Sequence, residues 1–251
     1  MTVSAVVVTH GPEPGVDRCI ASLAQQVDEL LAIANLPVEL ELPSNGRLVV
    51  NARPGGFAAN ANRGIAETSG DYVVLANPDT VAAPDAVRIL REFADEHPRC
   101  GIAGPQLRYP DGRWQPSRRR FPTVRGTLVR RTPLRYVAQP FERQRDHYLL
   151  DERPAEPVQA DWMLAAFLLL RRQMLDELGG LDERFRLYGE DIELCYRAAK
   201  AGWERWYVPA AVVTHAYAAV IDRKLLTRRT LWHLRGMARF VRKHPERLRA
   251  L

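Results

Sequence analysis

Hydrophobic and polar positions alternate in two different rhythms along the first hundred residues. Val3 to Thr9 is a near-continuous apolar run, the pattern of a strand covered on both faces. Pro14 to Gln26 then repeats its apolar residues at helical spacing. Leu30 to Ala34, Arg47 to Asn51 and Tyr72 to Ala76 are further predicted strands, with helices over Ala58 to Thr68 and Pro84 to His97. Strands alternating with helices predict an α/β fold, a mostly parallel sheet flanked by helices.

Beyond Gly101 the rhythm is lost. Pro110, Asp111 and Gly112 between apolar residues mark a turn, and residues 116–157, rich in Arg and Pro, predict a long, partly mobile excursion. Regularity returns with a strand at Met163 to Leu170, a helix from Arg172 stopped by Gly179 and Gly180, a helix from Glu190 to Ala201, and strands near Trp206 and Val212. In the last segment Leu231, Leu234, Ala238 and Val241, with Met237 beside them, recur at spacings of 3 and 4, as on one face of an amphipathic helix. The expected division is a domain over 1–222 and a basic helical segment over 223–251 packed on it.

Composition bounds the class. The 251 residues are 46% hydrophobic and 26% charged, as in a folded globular chain. Cys19, Cys100 and Cys195 are far apart and lack zinc-type spacing, which excludes a disulfide framework and suits a reducing cytosol. The N-terminus reads as a strand and not as a signal peptide, and the apolar run from Trp162 to Leu170 is far short of a bilayer span.

Charge is unevenly placed. Residues 1–107 and 146–222 each carry −6, whereas 108–145 and 223–251 each carry +9. Two basic segments on an acidic body suit a polyanionic partner such as a phosphate-bearing lipid surface or a diphosphate; a solvated surface explains any single Arg equally well.

Ligands of an open parallel sheet collect beyond the carboxyl ends of its strands. Thr9 and His10 follow the first strand, Gly55, Gly56 and Phe57 lead from the third strand into a helix, and Asn77, Pro78 and Asp79 follow the fourth. The glycines permit close backbone approach to an anion. No GxGxxG or P-loop pattern is present. Asp79 at a strand exit can bind a divalent cation bridging phosphates, although Asn, Pro and Asp also simply form turns. Glu190 and Asp191 open a helix, where a carboxylate caps and where the dipole also keeps a general base ionised.

These pieces, in this order, resemble the inverting glycosyltransferases of family 2 with the GT-A fold, and specifically their rhamnosyltransferase-like branch. The matching residues are VVVTH at 6–10, GGFAANANRG at 55–64, YVVLANPDT at 72–80, DWMLAAFLLLRR at 161–172, GGLDERFRLYGEDIELCYRAAKAGW at 179–203 and VPAAVVTH ending at His215. The likeness spans about residues 1–220, and its most specific part is Gly179 to Trp203.

The resemblance implies a Rossmann-like nucleotide-diphospho-sugar transferase and gives several residues roles. Asp79, in an NPD form of the family's DxD, and His215 would hold Mg2+ or Mn2+. Thr9, His10, Gly56, Phe57, Asn60, Arg63, Asn77 and Asp79 would bind the donor, a dTDP- or UDP-sugar. Asp191, with Glu190 beside it, would be the catalytic base, and Trp162 would line the acceptor side. The acceptor would be a glycan or lipid-linked glycan of the cell envelope, with no nucleic acid partner, and the protein would be cytoplasmic and peripheral at the inner face of an anionic membrane. The sequence departs from the family pattern at Gly11 and Pro12, and at Ala34 to Pro37, where the family has a carboxylate that reads the base. A sugar-phosphate nucleotidyltransferase would need a basic Gly-rich loop after the first strand, and His10 to Gly15 holds no Lys or Arg. A non-catalytic relative binding a membrane or partner through its Arg-rich segments is the other alternative.

Overall fold

The computed structural model describes residues 1–122, 149, 152–185, 188–216 and 228–248. Most of the Arg- and Pro-rich excursion, and the expected boundary at 222, lie outside the described residues. The first half runs β1 (Val3–Thr9), α1 (Val16–Leu23), β2 (Glu29–Ala34), β3 (Gly46–Val50), α2 (Phe57–Ala66), β4 (Tyr72–Ala76), β5 (Thr80–Ala82), α3 (Ala86–Glu96) and β6 (Cys100–Arg108). The second half runs β7 (Trp114–Gln115), β8 (Arg118–Arg119), β9 (Val158–Gln159), β10 (Trp162–Met163), β11 (Phe167–Arg171), α4 (Arg172–Leu178), α5 (Glu190–Lys200), β12 (Glu204–His215) and α6 (Arg228–Lys243).

The main sheet has the order β3-β2-β1-β4-β11-β6-β12-β5, with β7 beside β6 and β9 beside β12. Strands β3, β2, β1 and β4 are mutually parallel, β6 and β12 are parallel to each other, and β11 lies antiparallel between β4 and β6. β8 and β10 form a separate two-stranded pair.

Alternating side chains feed two cores. Val6 and Val8 point to one face of the sheet, covered by α2, α4, α5 and α6 through residues such as Ala61, Met174, Ile192 and Phe240. Ala5 and Val7 point to the other, covered by α1 and α3 through Ile20, Leu23, Val87 and Leu90. Burial on both faces is why these strands read as unbroken apolar runs.

Four elements differ from the sequence expectation. β6 runs on through Gly101, Gly104 and Pro105, residues of poor strand propensity that the sheet tolerates because neighbours press close: a Cβ at Gly101 would lie 2.5 Å from Met174 Sδ. The expected strand from Met163 to Leu170 is two strands separated by Leu164–Ala166, and the two strands expected near Trp206 and Val212 are one long strand with irregular register between Val208 and Val212. On α6, Met237 and Phe240 are buried, whereas Leu234 and Ala238, expected on the packed face, are exposed. The helix is rotated toward its aromatic residue, the larger apolar group to bury.

The α4 C-terminus ends as expected, with Gly179 at φ 70°. Arg171 and Arg172 secure the sheet edge opposite the candidate site. The Arg171 guanidinium, buried over the Tyr72 ring, donates to the Ala94 and Cys100 carbonyls at 2.6 and 2.8 Å, and Arg172 donates to Gly70 and Ile65. Both cap the ends of preceding helices.

Gly64 is where α2 touches β1 backbone to side chain: a Cβ there would lie 2.3 Å from Val6 Cγ1. Gly64→Ala should destabilise the fold by about 1–3 kcal/mol through overpacking. Differential scanning calorimetry should read this as a Tm lowered by about 2–4 °C for each kcal/mol in a chain of this size.

Candidate active site

Strand register brings the candidate residues to one edge. Thr9 pairs with Ala34, Ala34 with Val50 and Val7 with Ala76, so His10, Asn35, Asn51 and Asn77 all leave the sheet on the same side. Antiparallel β11 starts there, with Phe167 opposite Ala76, and β12 ends there, with His215 opposite Thr80.

Asp79 and His215 meet. His215 Nε2 is 3.4 Å from Asp79 Oδ1, and the imidazole is nearly buried while the carboxylate is about one-third exposed. Gln115 Oε1 lies 2.9 Å from His215 Nδ1. With that amide oxygen as acceptor, Nδ1 carries the proton and Nε2 offers a lone pair beside Asp79. The Asp79 loop is fixed by its backbone: Asn77 N–H donates to the Ala166 carbonyl at 2.8 Å, and Ala216 N–H to the Asp79 carbonyl at 2.9 Å. A neutral imidazole and a carboxylate so placed fit a divalent cation. Among the described residues no group of three or more His, Cys, Asp or Glu is placed to hold a metal ion, so remaining positions would fall to phosphate oxygens and water.

The residues at the exits of β1, β2 and β3 form a hydrogen-bonded polar floor. Glu13 accepts from the His10 N–H and lies 2.6 Å from the Thr9 hydroxyl, which ties the loop after β1. Asn35 Oδ1 is 2.8 Å from Gly55 N and 3.0 Å from both Asn51 Nδ2 and Asn60 Nδ2. Asn60 is buried, its amide engaged within this net, and Arg63 donates to Asn51 Oδ1 at 2.7 Å and to Glu67 at 2.8 Å. These two residues brace the strand exits to α2. Gly56 and Phe57 stand at the α2 start, and Ala34, where the resemblance expects a carboxylate, is wholly buried.

Glu190 and Asp191 begin α5 in an apolar setting. Asp191 Oδ1 accepts from Ile192 N–H at 2.8 Å, and the backbone of Ala165 also favours its charged form. Burial pushes its pKa up to about 6, opposed by these backbone groups and the positive charge of Arg119. Glu190 is buried, its Oε2 has no hydrogen-bond partner, and burial beside Asp191 pushes it up to about 8. Burial and mutual repulsion make the two titrate as a pair, with protonation favoured over that of free carboxyl groups. Trp162 packs in the core next to this site, its indole N–H donating to the Arg120 carbonyl at 2.8 Å, and β10 holds it opposite Arg119.

Three contributors escape sequence reasoning. Gln115 sits on a two-residue strand, Arg119 is one of 11 Arg in its basic segment, and Asn35 acts only through partners in α2 and β3. None carries a local signal.

A parallel sheet whose exit edge joins a carboxylate–histidine pair to a buried carboxylate defines the GT-A class of nucleotide-sugar transferases, and solved structures agree. The chain superposes on GalNAc-T7 bound to UDP, GalNAc and Mn2+ with a TM-score of 0.62 at 16% identity, covering 86% of this chain and 43% of that one. It superposes on residues 1–349 of S. aureus TarS with UDP-GlcNAc at 0.60 and 13% identity, covering 96% and 66%. The chain belongs to the glycosyltransferase-like family 2, whose model matches residues 3–239. It is 32% identical over 240 residues to the N-acetylglucosaminyl-diphospho-decaprenol L-rhamnosyltransferase of Mycobacterium tuberculosis, covering 84% of this chain and 74% of that protein. It is thus a glycosyltransferase, and a rhamnosyltransferase-like one.

Glu190 should make stability fall with pH. Between its ordinary value of 4.5 and about 8 the folded chain keeps a proton that the unfolded chain has released, so the folded state loses ground as pH rises through that window. Glu190→Gln removes this dependence. Its Tm relative to wild type should be higher at pH 8 than at pH 5 by at least about 2–4 °C, equivalent to about 1 kcal/mol. Equal offsets at both pH values would contradict the buried, protonated assignment.

Proposed function

We propose that the protein is an inverting, metal-dependent transferase moving a deoxyhexose, rhamnose first, from a dTDP- or UDP-sugar to a hydroxyl of a lipid-linked, diphosphate-bearing glycan of the cell envelope. The Mycobacterium tuberculosis relative's name supports both the sugar and the acceptor type. One structural observation carries the reaction chemistry. Ala166 holds the Asp79 loop through Asn77, and the backbone of its neighbour Ala165 favours the charged form of Asp191. Two consecutive residues therefore bear on both the Asp79 loop and Asp191.

Asp79 and His215 would hold Mg2+ or Mn2+, and the cation would supply positive charge to the departing nucleoside diphosphate. Asp191 takes the proton of the acceptor hydroxyl as its oxygen attacks the anomeric carbon. The bond to the diphosphate oxygen breaks on the opposite face, and configuration inverts. A raised pKa strengthens the base while leaving it largely ionised at neutral pH. Protonated Glu190 adds no second negative charge beside it. Thr9 ends β1 and His10 follows it, and Gly56 and Phe57 stand at the α2 start; these residues would border the nucleotide, with Trp162 behind the acceptor. Among the described residues no helix is long and apolar enough to cross a membrane. The +9 segment at 223–251 supports peripheral contact with an anionic membrane on its cytoplasmic side.

Asp191→Asn should lower kcat at least about a hundredfold, the low end for a general base, with donor affinity nearly unchanged. The acid limb of kcat/KM in the wild type should fall near the Asp191 value of about 6. Transfer at wild-type rate by folded Asp191→Asn protein would rule out this base.

Asp79→Ala and His215→Ala should each weaken Mn2+-dependent donor binding in isothermal titration calorimetry by tenfold or more, roughly one lost ligand contact of 1.4 kcal/mol. A variant that binds as tightly as wild type would remove its residue from the metal site.

A further inference from the structure

The most concentrated positive charge among the described residues lies away from Asp79. A cavity of about 570 Å³ opens between α6 and the segment after α4, lined by Arg184, Arg235, Ala238, Arg239, Arg242 and Lys243. Arg235, Ala238, Arg239 and Arg242 fall at i, i+3, i+4 and i+7, one face of the helix. Ala238 leaves the space open at the centre, and five cations surround it.

Two nearby carboxylates pair with Arg184 and Lys243 and leave Arg235, Arg239 and Arg242 without a carboxylate partner among the described residues. Asp182 binds Arg184 at 2.6 Å and Lys243 at 2.7 Å, and so ties the two walls together. The Arg184 bond is the largest cause of an Asp182 pKa held well below the usual range. Fully buried Glu193 takes Lys243 and also Arg197. Arg239 lies over the Phe185 ring at 5.9 Å. Arg235 and Arg242 are exposed and have no hydrogen-bond or ion-pair partner. Like charges at i, i+4 on a helix repel each other. Holding them around a cavity is favourable only when an anion enters it. The size is that of a small-ligand site, and guanidinium forks match phosphate oxygens bidentately.

We infer that this cleft is a second phosphate site, distinct from the donor site, that takes the phosphate or diphosphate of a phosphorylated acceptor. The acceptor assignment rests on the reading of Asp191 as base. α6 packs directly on the segment leading to that carboxylate: a Cβ at Gly236 would lie 2.4 Å from the Tyr188 carbonyl, and one at Gly189 would lie 3.1 Å from Met237 Cε. The helix that lines the cleft is thus packed on the two residues that lead into Glu190 and Asp191, while a donor diphosphate would belong with Asp79 and His215.

The test is calorimetric titration with inorganic pyrophosphate in EDTA, which silences the metal site. Wild type, Asp79→Ala and Asp191→Asn should bind alike. The triple variant Arg235→Gln, Arg239→Gln, Arg242→Gln should bind at least tenfold more weakly. Ala238→Phe keeps every charge and fills the cavity, so it should also lose binding; circular dichroism confirms that each variant is folded. Pyrophosphate binding that is lost in Asp79→Ala and kept in the triple variant would overturn the proposal, as would no binding by wild type. Because the readout is binding, failure of Asp191 as base would leave the result intact. Sedimentation with phosphatidylglycerol vesicles separates the sources. Pelleting that pyrophosphate reverses identifies a membrane headgroup as the occupant, and pyrophosphate binding without pelleting identifies a diphosphate carried on the acceptor; either supports the site. Vesicle pelleting equal in wild type and triple variant, without pyrophosphate binding, would overturn it.

Discussion

The insertion of one antiparallel strand, β11, between β4 and β6 is the constraint on which the site depends. A strand running against its neighbours starts where they end. Leu164–Ala166 therefore arrive at the exit edge of the parallel strands, and their backbone groups reach in two directions. The Ala166 carbonyl holds Asn77, and the Ala165 backbone favours the charged form of Asp191. At its other end β11 passes into Arg171 and Arg172, whose guanidinium groups close the ends of α2 and α3. The same strand thus secures both edges of the sheet.

Electrostatics follows from what burial permits. Three carboxylates on the first turn of α5, Glu190, Asp191 and Glu193, meet three fates. Glu193 is wholly buried and accepts two 2.8 Å bonds from Arg197 along with Lys243 from α6. Paired in this way it registers α6 on α5, since removing one partner of a buried pair leaves an expensive orphan. Glu190 is equally enclosed but lacks a cation, so it keeps its proton. Asp191 is half-buried and receives the Ile192 N–H, which leaves it poised between the two. A general base at neutral pH needs that intermediate condition.

In the proposed scheme the α6 cleft and the Asp79 pair would be complementary solutions to binding phosphate. Asp79 and His215 present negative charge and lone pairs, and so would reach a phosphate through a cation. The cleft presents guanidinium groups and would need no metal. One chain holding both would separate two phosphorylated ligands by chemistry as well as by position.

Much of this was legible in the residues alone. Strands β1 and β4 matched their apolar runs to the residue, because strands buried on both faces carry a local signal that no contact has to supply. The stop of α4 at Gly179 and the turn at Asp111–Gly112 were equally local, since each depends on backbone conformation. The ordered motifs around Asn77 to Asp79, Glu190 and Asp191 indicated the glycosyltransferase class. Tertiary structure decided the rest. β6 was hidden by its glycines and proline, which are harmless only because Met174 and Met163 fill the space beside Gly101 and Gly104. The rotation of α6 was settled by Phe240 finding the core, and this turned Ala238 outward into the cleft. Gln115, Arg119 and Asn35 acquired meaning only from partners 100, 72 and 25 residues away, His215, Asp191 and Asn60. Composition and periodicity record what a residue does to its own backbone and its own face. They hold no record of which distant group the folded chain will set beside it.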